Sequence, residues 1–223
     1  MGPYSHYVLA SRLATSFEVA NRSAYTWGAV SPDIRYLAQM PREQTHLAKE
    51  RLVELMTCYP HLRSFITGYL VHVLIDQVDV LRVVGSGFPL NLLKKVTGRS
   101  LSPQQMTMMV EVYYLQSRVA RGPLSGEHNE LFTNLGITQD QTSRFHKALQ
   151  AYFDNRSYQG AIEAFKDIGM IHNSRIEKYK DAYAGMQKRK GLRTLLMLSI
   201  KSARLEMRTL EHVRGQMAGL ALS

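Results

Sequence analysis

His61-Leu-Arg-Ser-Phe-Ile-Thr-Gly-Tyr-Leu-Val-His72-Val-Leu-Ile-Asp76-Gln-Val-Asp79, running on to Val84, is dominated by apolar residues. Leu62, Phe65, Tyr69, His72, Asp76 and Val83 recur at three- and four-residue steps, which predicts one helix with these residues on a shared face. That face should be buried, yet it carries an imidazole and a carboxylate one turn apart. A buried carboxylate is costly unless it is paired or bound to a cation. An i, i+4 His/Asp pair can offer one nitrogen and one oxygen to the same metal. The plainer reading is an Asp hydrogen-bonded to a core His, because HxxxD is short and common by chance.

The rest of the chain follows the same period. A helix is predicted from Tyr4 to Asn21, with His6, Leu9, Leu13, Phe17 and Ala20 as its buried stripe. A loop from Ser23 to Tyr36 follows, in which Pro32 should push Ser31 away from helical dihedrals and fix the entry to Asp33. A helix from Arg42 to Tyr59 carries His46, and Pro60 ends it. Gly85-Ser-Gly87-Phe-Pro89 breaks the central helix. Further helices are predicted at 89–97, 103–121, 125–134, 138–154, 157–184 and 188–219. Ser102-Pro103 reads as a helix start, and Gly122-Pro123 and Gly136 as stops. No alternating run is bounded by hairpin signals. The predicted fold class is all-α: a single-domain, multi-helix bundle over 1–223, with the candidate metal residues in 1–88 and a helical remainder in 89–223.

Composition narrows the class. The chain has 223 residues, 45% hydrophobic and 21% charged, ordinary for a globular domain with a sizeable core. No apolar run reaches the roughly 18–20 residues needed to cross a bilayer. The N-terminus is a poor signal peptide, because Ser11 and Arg12 interrupt its apolar residues. Cys58 is the only cysteine, so no internal disulfide can form, and it is expected to be buried and inert. The expected compartment is the cytoplasm.

The formal net charge is +10 and the pI is near 9.8. From Asn173 to Ser223 there are 11 Lys/Arg against 4 Asp/Glu, a local net of +7. Arg193, Lys201, Arg204 and Arg208 fall within an arc of roughly 80° if the last helix is continuous at about 100° per residue. Leu192, Leu195, Leu196, Ala203, Met207, Leu210, Val213 and Met217 form its apolar side. This is either a packed helix with a solvated basic flank or a peripheral contact for an anionic membrane or partner. The expected partner is an anionic, phosphate-bearing small molecule or phospholipid, ahead of nucleic acid.

His6, Asp33, His46, His72 and Asp76 are borderline and hard donors of the kind zinc accepts. Each sits at a helix start, in a rigid loop or on a buried face. Asp79, one turn from Asp76, and Glu111, within the apolar run Met106–Tyr114, are additional ligand or supporting candidates. Arg35 beside Asp33 is suited to a phosphate, and an ion pair holding the loop is an equal reading. Tyr7, Tyr25, Tyr36 and Tyr69 are more readily core residues with local hydroxyl partners than oxyanion donors. No GxSxG elbow, Walker A or GxGxxG is present.

The order His6, Trp27-Gly-Ala-Val-Ser-Pro-Asp33-Ile, His46, then Gly68-Tyr-Leu-Val-His72-Val-Leu-Ile-Asp76 resembles the zinc-dependent phospholipase C family and the related S1/P1-type nucleases. The resemblance covers about residues 4–80. It implies that Asp33, His46, His72 and Asp76 hold one zinc, with His6 facing a second and Asp76 bridging. It implies phosphoester hydrolysis, with Asp33 both ligand and general base. The chain departs from the family in three places. Gln77 to Leu81 contain no His, and none of His128, His146, His172 or His212 has Asp or Glu four residues later. The family's processed amino-terminal Trp is here Met1. One to three zinc ions are therefore expected, with ligands of the full three-zinc cluster missing. Two other readings remain open. One is a repurposed metal enzyme on the same scaffold, for diphosphate ionisation, cyclisation or a lyase step. The other is a non-catalytic module binding anionic ligands or a membrane surface.

Overall fold

The computed structural model describes residues 1–17, 19–85, 110–115, 122, 124–155, 157–177, 179–181, 184 and 190–220. Among these the chain is helical, with no strand. The all-α class follows from the three- and four-residue apolar steps that run through every segment long enough to judge.

The centre is a pair of helices, α2 (Arg22–Val30) and α6 (Arg63–Asp76), packed along their lengths. Two glycines permit the approach. A Cβ at Gly28 would lie 1.9 Å from the Phe65 carbonyl oxygen, and one at Gly68 would lie 1.9 Å from that of Tyr25. Each helix therefore presses bare backbone against the other. α6 is buried on all sides from Phe65 to Ile75, not on a single face. Around the pair pack α1 (Pro3–Leu13), α5 (Lys49–Cys58) and the last helix, Leu205–Ala218. Trp27 closes the core against Phe132 and Phe145, and its indole N–H donates to the Glu127 carbonyl at 3.0 Å. One apolar cluster runs from Tyr4 to Met217.

Several boundaries differ from expectation, each for a local reason. The first helix stops at Leu13 and passes into a 3-10 turn, Ala14–Ser16, where Thr15 and Ser16 are poor helix formers. The expected loop from Ser23 to Tyr36 is α2, followed by a 3-10 turn, Ser31–Ile34, and the short α3 (Arg35–Ala38). Asn21 starts α2 by accepting from the Ala24 N–H at 3.0 Å, a capping signal that the glycine and proline obscured. Ser31 stays helical at φ −65°, ψ −33° despite the following Pro32. Its hydroxyl donates back to the Trp27 carbonyl at 2.6 Å, which ties the turn to the helix before it.

The expected helix from Arg42 to Tyr59 is two, α4 (Arg42–Thr45) and α5, with His46 in the break at φ −93°, ψ 69°. The central stretch ends at Asp76, and α7 (Val80–Gly85) begins after a short turn. Cys58, expected to be buried, is exposed at the end of α5. Later, α8 (Glu130–Asn134) ends near Gly136, which takes φ +76°. α9 (Gln139–Asp154) starts on a reciprocal capping box between Thr138 and Gln141. Gly169, also at φ +76°, follows α10 (Tyr158–Asp167) and interrupts the expected 157–184 helix. The last helix is two, α11 (Lys190–Ser202) and α12 (Leu205–Ala218), with Arg204 left-handed at φ +50° between them. That break ends the single arc assumed for Arg193, Lys201, Arg204 and Arg208. Met207, expected on the apolar side, is 41% exposed. The 89–97 helix, the Ser102-Pro103 start, the Gly87–Pro89 part of the break and most of 103–121 lie outside the described residues.

Candidate metal centre

His6 enters on the first turn of α1, fully buried. Its Nδ1 lies 3.0 Å from the Gly2 carbonyl. His72, on α6, is likewise buried, with Nδ1 2.9 Å from the Ala29 carbonyl of α2. A carbonyl oxygen only accepts, so Nδ1 carries a proton in both rings, and each ring turns its Nε2 inward. This is how metal-binding imidazoles are held: the outer nitrogen is anchored to a backbone carbonyl and the inner one is left to ligate. The two rings stack with centroids 3.9 Å apart.

All three inner nitrogens converge on Asp76, the last residue of α6. His6 Nε2 is 3.1 Å from Oδ1, and His46 Nε2 is 3.1 Å from Oδ2. His72 Nε2 is 3.7 Å from Oδ2 and 3.3 Å from His46 Nε2. Three ring nitrogens thus crowd one carboxylate and, in the case of His46 and His72, each other. Such a cluster is stable only with protons or a cation among the donors. Protons alone fit poorly at His72, where burial, and then the charge of His6, push the imidazole well below its ordinary value. Burial alone would raise the Asp76 carboxyl, but hydrogen bonds from His46 and His6 outweigh it and hold that carboxyl far below its ordinary range.

Asp33 completes the cluster from the Ser31–Ile34 turn. It is 4% exposed, and its Oδ2 is buried with no hydrogen-bond partner among the described residues. Burial raises its pKa, against the lowering effect of His6. A buried carboxylate oxygen without a donor is rare and unfavourable unless a cation or water completes it. Two donor groups emerge, each with its ligating atoms within 4.8 Å: His6, Asp33 and His72, and His46, His72 and Asp76. His72 belongs to both. The structure thus groups Asp33 with His6, whereas the family resemblance groups it with His46 and Asp76. Three imidazoles and two carboxylates suit a borderline divalent ion such as zinc.

The remaining candidates stand further out. Asp79 is exposed, and its Oδ1 accepts from the Arg82 N–H at 2.9 Å, starting α7. Glu111 is fully buried and lies behind His6. Its oxygens accept from the Tyr4 and Ser5 N–H groups at 2.8 and 3.0 Å, from the Ser5 hydroxyl, and from the Tyr152 hydroxyl at 2.9 Å. It therefore satisfies the orphan donors at the start of α1, where a negative charge is favoured, and so fixes the turn that carries His6. Arg35 forms no ion pair among the described residues. Its guanidinium lies 3.8 Å over the Tyr36 ring and donates to that hydroxyl at 2.5 Å. Tyr25 and Tyr69 donate to the Ala10 and Thr45 carbonyls, and Tyr7 bonds the backbone of Gly122. The Tyr69 bond holds the residue just before His46.

Two contacts were not anticipated. The Met1 amino nitrogen lies 3.7 Å from Asp76 Oδ1. The Arg42 guanidinium donates to Asp76 Oδ2 at 2.6 Å. Arg42 stands four residues before His46, and that spacing was the available signal. No described helix is long and apolar enough to cross a membrane. No family model, curated protein or solved structure matches this chain.

Proposed function

We propose that this chain is a zinc-dependent phosphoester hydrolase resembling phospholipase C. The observation that carries the reading is the buried Asp33 oxygen without a hydrogen-bond partner among the described residues, set among three imidazoles whose inner nitrogens crowd one carboxylate. Asp33, His6 and His72 would hold one ion, and His46, His72 and Asp76 another or the same one. Bound zinc supplies Lewis acidity and lowers the pKa of a water to roughly 7. The chain's own residues do the rest. His6 and His72 are oriented by the Gly2 and Ala29 carbonyls, so their lone pairs need no reorganisation. Asp33 can accept a proton at Oδ2, and a cation beside it reverses the upward shift that burial imposes. The net charge of +10 favours an anionic substrate.

The test is a panel of phosphodiesters, phospholipids, nucleotides and prenyl diphosphates, assayed with purified protein before and after chelation. The expected result is release of a phosphomonoester or phosphate that stops on chelation and returns with added zinc. Release of diphosphate with a hydrocarbon product would replace this reading with the repurposed enzyme. No turnover of any member by the zinc-loaded protein would leave a structural metal site.

A further inference from the structure

We infer that Arg42 is an internal counter-cation of the metal-free centre, on the opposite Asp76 oxygen from the Met1 amino group, and that metal loading releases it to bind the phosphate of the substrate. This rests on the metal-site reading above and adds a residue with two alternating partners.

Arg42 donates to the Asp76 oxygen that also faces His46 and His72, and those three side chains form one of the two donor groups. A guanidinium 2.6 Å from that oxygen occupies part of the space and supplies part of the charge that a cation would bring. The two compete for one ligand atom. A divalent ion on Asp76 removes much of the attraction for Arg42 and adds repulsion.

Release costs little structurally. The Arg42 side chain is 47% exposed, and α4 is a single turn on the surface. No buried donor is stranded when the guanidinium swings into solvent. The backbone stays where it is needed, because the Arg42 carbonyl accepts from the His46 N–H at 2.8 Å. The freed side chain is thus anchored one turn from a metal ligand, at the rim of the centre. A guanidinium offers a planar fork that matches two phosphate oxygens. Arg35 is less suited to this exchange, being half-buried and stacked on Tyr36.

The experiment uses full-length wild-type protein, Arg42→Gln and Arg42→Lys. Zinc affinity is measured by competition with a chromophoric chelator. Binding of inorganic phosphate to each zinc-loaded protein is measured by calorimetry. Arg42→Gln is expected to bind zinc about fivefold more tightly, the scale of an exposed ion pair that no longer has to be broken. Its zinc-loaded form should bind phosphate about tenfold more weakly, through loss of a charge-assisted fork. Arg42→Lys keeps the charge and loses the fork, so its zinc affinity should stay near wild type while phosphate binding weakens. Equal zinc affinity in wild type and Arg42→Gln, or unchanged phosphate binding, overturns the inference and leaves the metal site standing. Failure of wild type itself to bind zinc overturns both.

Discussion

Asp33→Asn is expected to leave the helical fold intact and to slow turnover at least about 100-fold, the usual contribution of a general base. The substitution preserves shape in a turn closed by Pro32 and the Ser31 hydroxyl, so the backbone has no reason to move. What it removes is an anionic oxygen that is buried with no hydrogen-bond partner among the described residues. An amide accepts a proton poorly and ligates zinc weakly. The loss should fall on kcat, with KM less affected, because the residue acts on the reacting atoms and does not anchor the substrate.

Stability should move the other way in the metal-free protein. Burial raises the Asp33 pKa, so the folded state holds this proton more tightly than the unfolded chain. Its contribution therefore becomes more unfavourable as pH rises from the ordinary carboxyl value through the raised folded value. Asp33→Asn removes that penalty, and the metal-free variant should be the more stable at neutral pH. Urea unfolding of both metal-free proteins at acid and neutral pH checks the sign. A variant that turns over at the wild-type rate would exclude Asp33 from the chemistry.

Gly68→Ala should destabilise the protein by about 3 kcal/mol or more, at the upper end of what overpacking costs. In an open helix the same change would stabilise by roughly 1 kcal/mol through helix propensity, so the sign alone is informative. The new methyl would meet the Tyr25 carbonyl oxygen at 1.9 Å, its carbon at 2.8 Å and the Ala29 nitrogen at 2.9 Å. All three are backbone atoms and cannot rotate aside. α2 and α6 must separate, and the separation pulls the Ala29 carbonyl from His72 Nδ1 and shifts the turn bearing Asp33. Weakened metal binding should accompany the loss of stability. A urea midpoint unchanged from wild type would mean that the two helices do not touch as described.

The sequence carries the all-helical class and the convergence of the five site residues unevenly. His72 and Asp76 are legible because one helical turn separates them, whatever the rest of the chain does. His6 and Asp33 are legible as positions, each near a helix start or beside a proline, but their meeting depends on α1 and α2 both packing on α6. His46 was expected within a helix, yet it lies in a break whose preceding Thr45 carbonyl is held by the Tyr69 hydroxyl, a contact from a distant segment. Glu111 is the plainest case of information that periodicity does not hold. Its partners Tyr4 and Ser5 lie more than a hundred residues away, and it reads as an isolated charge in an apolar run until they are brought together. Gly68 read only as part of a motif, because a close helix approach needs a partner glycine that the chain places 40 residues earlier, at Gly28.

The deciding measurement is the metal content of native protein, by elemental analysis with anomalous density at the zinc edge, for wild type, His72→Ala and Asp76→Ala. His72 belongs to both donor groups, so its loss cannot be compensated by either. Wild type should contain at least one zinc, located among His6, Asp33, His46, His72 and Asp76, and both variants should lose it. Wild type free of metal and unable to take up zinc, or full occupancy retained in both variants, would contradict the assignment of this cluster as a metal centre.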